Sequence, residues 1–301
     1  MSPPDPRRLP NFIGVGPPRT ATTWLYEVMR GHAGFSDFRK ETDFFTRYYD
    51  RGFDWYLQYF AGCGADLPMG EMSPLYFASD DARERISLAI PQCKIVCSFR
   101  DPVDRAWSHW RLMVRNLWTK LEFEPAAGGI RDIRESSRYG HYTAKWIESF
   151  GRENVLLMFY EDLERDPQAF VDKVCAFIGA PLFPLSDSPA AQTRVHTVPA
   201  RPRHRRIARN LRDIRDWLND RRMHRAARIV RQSSLWSYCF EGGQPFKRPS
   251  AEVDARIRAA MRPEVEALEA ISGRDLSAWK TGRARVETQT QSAGEVSSAG
   301  A

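Results

Sequence analysis

The chain has 301 residues, 42% of them hydrophobic and 12% aromatic, with 45 lysines and arginines against 38 acids for a net charge of +7. That length supports one enzyme-sized core with a smaller helical addition, and the basic balance points to anionic ligands. No run approaches the ~18 consecutive apolar residues of a membrane span, and Met1 to Pro10 holds prolines and charges where an export signal has an apolar core, which predicts a cytoplasmic protein without a membrane partner.

In chain order, Asn11 to Gly16 (NFIGVG) reads as a short buried strand closed by glycine and prolines, and Thr22 to Met29 as the helix that follows. Further strands are predicted at Met69 to Met72, Lys94 to Phe99 (KIVCSF) and Val155 to Tyr160 (VLLMFY). They alternate with helices at Phe53 to Phe60, Asp80 to Ala89, Val103 to Arg115, Tyr142 to Phe150 and Gln168 to Ile178. Continuous apolar strands separated by helices imply an α/β fold, a three-layer parallel sheet covered by helices on both faces. Ligands in such sheets bind beyond the carboxyl ends of the strands, here after Gly16, Met72 and Phe99.

From Pro181 to Arg206 the pattern gives way to proline, serine and arginine, a flap-like excursion. A basic helix then begins at Ile207 (Ile207, Leu211, Ile214, Leu218), and a last one spans Ala251 to Ile271. Residues 281–301 are small and polar and are expected to be a disordered tail to a single domain over 1–280. The five cysteines, Cys63, Cys93, Cys97, Cys175 and Cys239, show no CxxC pair or zinc spacing, so they are read as reduced thiols and no metal is expected.

Two segments carry chemistry. The first is Gly16-Pro17-Pro18-Arg19-Thr20-Ala21-Thr22-Thr23-Trp24, a strand-to-helix loop with one cation and three hydroxyls at a helix start. Free backbone N–H groups and the helix dipole make such a start a cradle for a phosphate-like anion. The second is Arg100-Asp101-Pro102 at a strand end with Ser108 two helical turns on, so that a guanidinium fork and a hydroxyl can converge on one dianion.

These segments, in this order, resemble the 5′-phosphosulfate loop and the 3′-phosphate motif of sulfotransferases that use 3′-phosphoadenosine-5′-phosphosulfate (PAPS). Lys40-Glu41-Thr42-Asp43-Phe44-Phe45, Gly70-Glu71-Met72-Ser73-Pro74-Leu75-Tyr76-Phe77, Phe159 to Leu163 and Gly273 to Trp279 are similar to the heparan sulfate branch of that family and its bacterial relatives. The resemblance covers residues 11–280. It implies a P-loop NTPase-like sulfotransferase fold with a helical C-terminal part, and PAPS as co-substrate. It also implies transfer of a sulfuryl group to a hydroxyl or amine of a small-molecule, natural-product or carbohydrate acceptor.

It further assigns cofactor binding to Arg19, Thr20, Ala21, Thr22, Thr23, Trp24, Arg100 and Ser108, and to Lys247 and Arg248 in a basic C-terminal loop. Arg19 would stabilise the leaving phosphate and Glu41 would act as general base. Two residues depart from the pattern: Ala21 stands for a glycine, and Met72 for a lysine that helps place the sulfuryl group or acceptor. Met72 could then line an apolar acceptor pocket, whose variable walls are expected in Asn116 to Ser137 and Pro181 to Arg206.

A P-loop kinase shares the sheet and anion loop but needs Gly-x-x-x-x-Gly-Lys-Ser/Thr and an acidic strand end for magnesium; here the loop has Arg19 and Ala21, and the strand ends in Arg100. A protein that holds PAPS without turnover is the other alternative. Residues 201–231 hold twelve arginines against Asp213, Asp216 and Asp220; with no stacking platform beside them, they read as a lid over an anionic ligand and not as a nucleic-acid surface.

Overall fold

The structure is a computed structural model and describes residues 9–36, 39–64, 66–192, 200–221 and 223–282. Four parallel strands, β1 (Phe12–Gly14), β2 (Gly70–Met72), β3 (Lys94–Phe99) and β4 (Val155–Phe159), form one sheet in the order β2-β1-β3-β4. Ile13 lies in register with both Glu71 and Ile95, and Ile95 to Phe99 pairs with Val155 to Phe159. The expected α/β architecture is what forms.

Neighbouring residues alternate between two buried layers, which is why the strands read as unbroken apolar runs. On one face Ile13, Ile95, Cys97, Leu157 and Phe159 pack with Phe44, Phe45 and Tyr56, with Ile86 of α3 (Asp80–Ala89) and with Trp146 of α7 (Tyr139–Phe150). On the other, Phe12, Met72, Val96 and Met158 meet Leu25, Val28 and Met29 of α1 (Thr22–Met29) and Phe170 and Val174 of α9 (Pro167–Ile178). The intervening helices are α2 (Phe53–Leu57), α4 (Pro102–Arg115), α5 (Phe123–Gly129), α6 (Arg131–Glu135) and α8 (Tyr160–Arg165).

The C-terminal part is helical: α10 (Arg205–Asp220), α11 (His224–Gln232), α12 (Ser234–Phe240), α13 (Ala251–Ser272) and α14 (Ser277–Thr281). α13 lies close against α7, since a Cβ on Gly140 would stand 2.3 Å from the Ala267 methyl.

Three expectations are revised. Residues 116–137 are not an open loop but carry α5 and α6, whose Phe123, Ala126 and Ile133 close a cluster over Trp107 and Trp110. The basic stretch from 207 to 231 is two helices, α10 and α11, and not one. Thr281 ends α14, and the disorder expected for the tail concerns residues 283–301, outside the described ones, as do 193–199 of the flap. Among the described residues no helix is long and apolar enough to cross a membrane.

Candidate active site

β1 runs against β3 so closely that Val15 and Gly16 both donate their N–H to Val96 O, and a Cβ on Gly16 would stand 2.3 Å from Ser98 N. Only glycine fits there. Beyond it Arg19 (φ 78°) and Ala21 (φ 70°) occupy the left-handed region, folding the loop so that α1 starts with no side chain capping its free N–H groups. Ala21 therefore takes a conformation that glycine adopts at lower cost.

The loop side chains divide in two. The Thr20 hydroxyl donates to Pro17 O (2.8 Å) and meets Ser98 Oγ (2.7 Å), tying the loop to β3, so the side chain predicted to bind cofactor is turned into the fold. Trp24 packs its edge on Phe170 and donates Nε1 to Ala191 O (3.4 Å), also serving the scaffold. Thr22 accepts a hydrogen bond from Lys40 Nζ (3.4 Å), and Thr23 is half-buried at the helix start.

Arg19 joins the two motifs. Its Nε donates to Ser108 Oγ at 2.9 Å, across 89 positions of sequence. Burial pulls the Arg19 guanidinium down to about 10, reinforced by the charges of Arg111, Arg100 and Arg115. The group stays protonated at neutral pH but stands among like charges, an arrangement that a bound polyanion relieves.

Arg100 leaves the carboxyl end of β3 and lies 4.4 Å from the centre of the Tyr160 ring. Its neighbour Asp101 is not its ion-pair partner: that carboxylate caps α4, accepting from Val103 N (2.9 Å) and Asp104 N (3.1 Å), and pairs with buried Arg258 of α13 at 2.7 Å. Pro102 opens α4 at its first position, and Ser108, Arg111 and Arg115 recur along one stripe of it. Sequence reasoning did not single out Arg111 or Arg115; their three- and seven-residue spacing from Ser108 is the signal that was available. His109, beside Ser108, is pushed down to about 3 by burial and by Arg105 and Arg19, so it stays neutral near pH 7. Arg248 pairs with Asp104 in the first turn of α4 and its charge reaches Arg111, whereas Lys247 is exposed in the same segment.

Glu41 sits in the loop that crosses the end of β2. Lys40 Nζ bridges Glu41 Oε1 (2.6 Å) and Thr22 Oγ1, placing the candidate base next to the phosphate loop. The segment is anchored from below by Glu71, which accepts from Thr42 Oγ1 (2.5 Å), Thr42 N (3.4 Å) and Tyr56 OH (3.2 Å). Burial raises the Glu71 carboxyl to about 7. Met72 points to the opposite face, fully buried over Gly14 in the layer of Phe12 and Leu25; it fills core and does not line an acceptor pocket. Lys40 and Glu71, like Arg111 and Arg115, are residues whose part the sequence reading missed.

The sequence profile of the sulfotransferase domain matches residues 9–198. Among curated proteins the chain is 30% identical over 196 residues to human bifunctional heparan sulfate N-deacetylase/N-sulfotransferase 3, covering 57% of this chain and 22% of that one. It is 29% identical over 184 residues to mouse heparan sulfate glucosamine 3-O-sulfotransferase 6, covering 58% and 54%. The chain thus spans between about a fifth and about half of the length of these relatives. Among solved structures a sulfotransferase from Alicyclobacillus acidocaldarius superimposes with a TM-score of 0.64 at 23% identity, over 90% of this chain and 99% of that one, which shows a shared fold. With that profile matching more than half of its length, this protein belongs to the sulfotransferase domain family.

Proposed function

We propose that the chain transfers a sulfuryl group from PAPS to a hydroxyl or amine of an acceptor. The observation that carries this reading is the Arg19–Ser108 hydrogen bond, which merges two anion-binding segments into one guanidinium-lined site. The free amides of α1 with Thr22 and Thr23 suit the 5′-phosphosulfate, and Arg100 with Ser108 suits the 3′-phosphate. Arg248 and Lys247 extend the positive charge at the rim.

In the reaction the acceptor oxygen or nitrogen bonds to sulfur as the bond from sulfur to the bridging phosphate oxygen breaks. Position and electrostatics carry such a step. Arg19 offsets the charge that grows on the leaving oxygen. Glu41 takes the acceptor proton, a contribution of ~10² to 10⁴-fold for a well-placed base. Lys40, held between Glu41 and Thr22, supplies the ammonium that Met72 does not, steadying the transferred group.

Names of the relatives include heparan sulfate, which favours a carbohydrate acceptor over other small molecules. Five free thiols, four of them buried, suit a reducing compartment such as the cytoplasm.

Calorimetric titration with adenosine 3′,5′-bisphosphate tests the reading. The native protein should bind, and Arg100→Ala should weaken binding by up to about a hundredfold, as loss of a charge-assisted contact does. Glu41→Gln should keep that binding and lose turnover. Absence of binding by the native protein would remove the basis for PAPS as donor.

A further inference from the structure

α10 and α11 present an outer surface to which the proposed transfer reaction assigns no residue. α10 turns Ala208, Leu211 and Leu218 inward, where Ala208 and Leu211 pack with Trp236, Cys239 and Phe240 of α12 and with Val230 of α11. Arg212 fastens this unit to the end of α4 by donating to Asn116 O (2.8 Å). Ile207, Ile214 and Trp217 lie along the edge of that apolar face and are each 46–52% exposed. On α11, Ile229 is 70% exposed, two residues from buried Ala227 and so on the other side of its helix. Four large apolar side chains left in water on two helices call for a partner.

The charge around them says which. Residues 201–231 carry twelve arginines against three aspartates, and two of those acids, Asp213 and Asp216, are each held by the arginine before them. Arg206, Arg209, Arg221, Arg225 and Arg228 are exposed along these two helices and at the end of α10, and the Arg221 guanidinium lies 4.0 Å from the centre of the Trp217 ring. An amphipathic helix with isoleucines and a tryptophan on one face and arginines at its margin matches the boundary between acyl chains and anionic headgroups. A nucleic-acid backbone would use the arginines and leave the isoleucines in water, and a second copy of the chain would bring like charges together.

We infer that α10 and α11 dock this protein on an anionic lipid bilayer, the apolar stripe entering the headgroup boundary and the arginines holding the lipid phosphates. The sequence reading excluded a membrane partner because nothing spans one; lying on a surface needs no span. The inference is independent of the transfer reaction.

Co-sedimentation of the whole chain with phosphatidylcholine vesicles, with and without phosphatidylglycerol, tests it. The expected result is binding to the anionic vesicles alone, weakened by salt, and cut by about tenfold or more in Ile214→Glu and in Trp217→Ala. Both positions are half exposed, so both variants should unfold at the native urea midpoint. Brominated lipid should quench a part of the tryptophan emission that Trp217→Ala lacks. Three results would overturn the inference: no preference for the anionic vesicles, vesicle binding that neither variant changes, or a duplex DNA or native self-association that the two variants abolish while vesicles do not bind.

Discussion

Glu71 offers the sharpest test of the energetics around the site, because it is a carboxyl buried without a cation. Thr42, Tyr56 and Tyr76 hydroxyls are among its partners, and burial moves it from an ordinary 4.5 to about 7. Below about pH 4.5 the folded and unfolded chains both hold the proton and the contribution of this group to stability is complete. Between about 4.5 and 7 the unfolded chain ionises while the folded one keeps its proton, so stability falls as pH rises; above about 7 the folded carboxyl ionises too and the loss levels off. At about 1.4 kcal/mol for each pH unit of the difference, the loss totals roughly 3 kcal/mol.

Glu71→Gln keeps the volume and an acceptor for Thr42 but does not titrate. Urea unfolding of both proteins at intervals from pH 4.5 to 8 gives the difference in unfolding free energy. That difference should move by roughly 3 kcal/mol against the native protein, with most of the change between pH 5 and 7. A difference that stays flat across the range would refute the placement of Glu71 as a buried, cation-free carboxyl.

Other outcomes follow from single contacts. Ala21→Gly should raise stability by about 0.5–1 kcal/mol in urea unfolding, the left-handed strain of ~1–2 kcal/mol less the added freedom of the unfolded chain, and should not weaken adenosine 3′,5′-bisphosphate binding. Arg258→Met leaves Asp101 buried and unpaired and should cost about 3–5 kcal/mol in the same assay, while adding Asp101→Asn, which still caps α4, should restore most of it. Gly16→Ala pushes a methyl group into the β3 backbone at Ser98 and should lower stability by about 1–3 kcal/mol and abolish nucleotide binding, both readable in one thermal-shift titration.

Much of the frame was readable before the fold was seen. Lys94–Phe99, Thr22–Met29 and Asp80–Ala89 form where apolar runs, hydroxyl or acidic starts and glycine breaks put them, because those signals act within a dozen residues. The separation of Arg100 and Ser108 could be read for the same reason: a strand end and the first turns of α4 fix it. α5 and α6 were missed since Phe123–Gly129 and Arg131–Glu135 are short, and the glycines at 128 and 129 read as loop; what holds them is packing against Trp107 and Trp110.

The sequence by itself determined the parallel sheet, the loop between β1 and α1 and the basic character of the candidate site, all of which follow from local periodicity and residue chemistry. Tertiary structure alone decided which charges meet. Arg19 reaches Ser108 because β1 and β3 are adjacent in the sheet. Asp101 is claimed by Arg258, 157 residues away, and not by its neighbour Arg100. Thr20 turns inward, Met72 fills core and Glu71 anchors Glu41 because a strand's two faces lead to different layers. Strand order and facing set such pairings over long stretches of chain, and no local pattern encodes them.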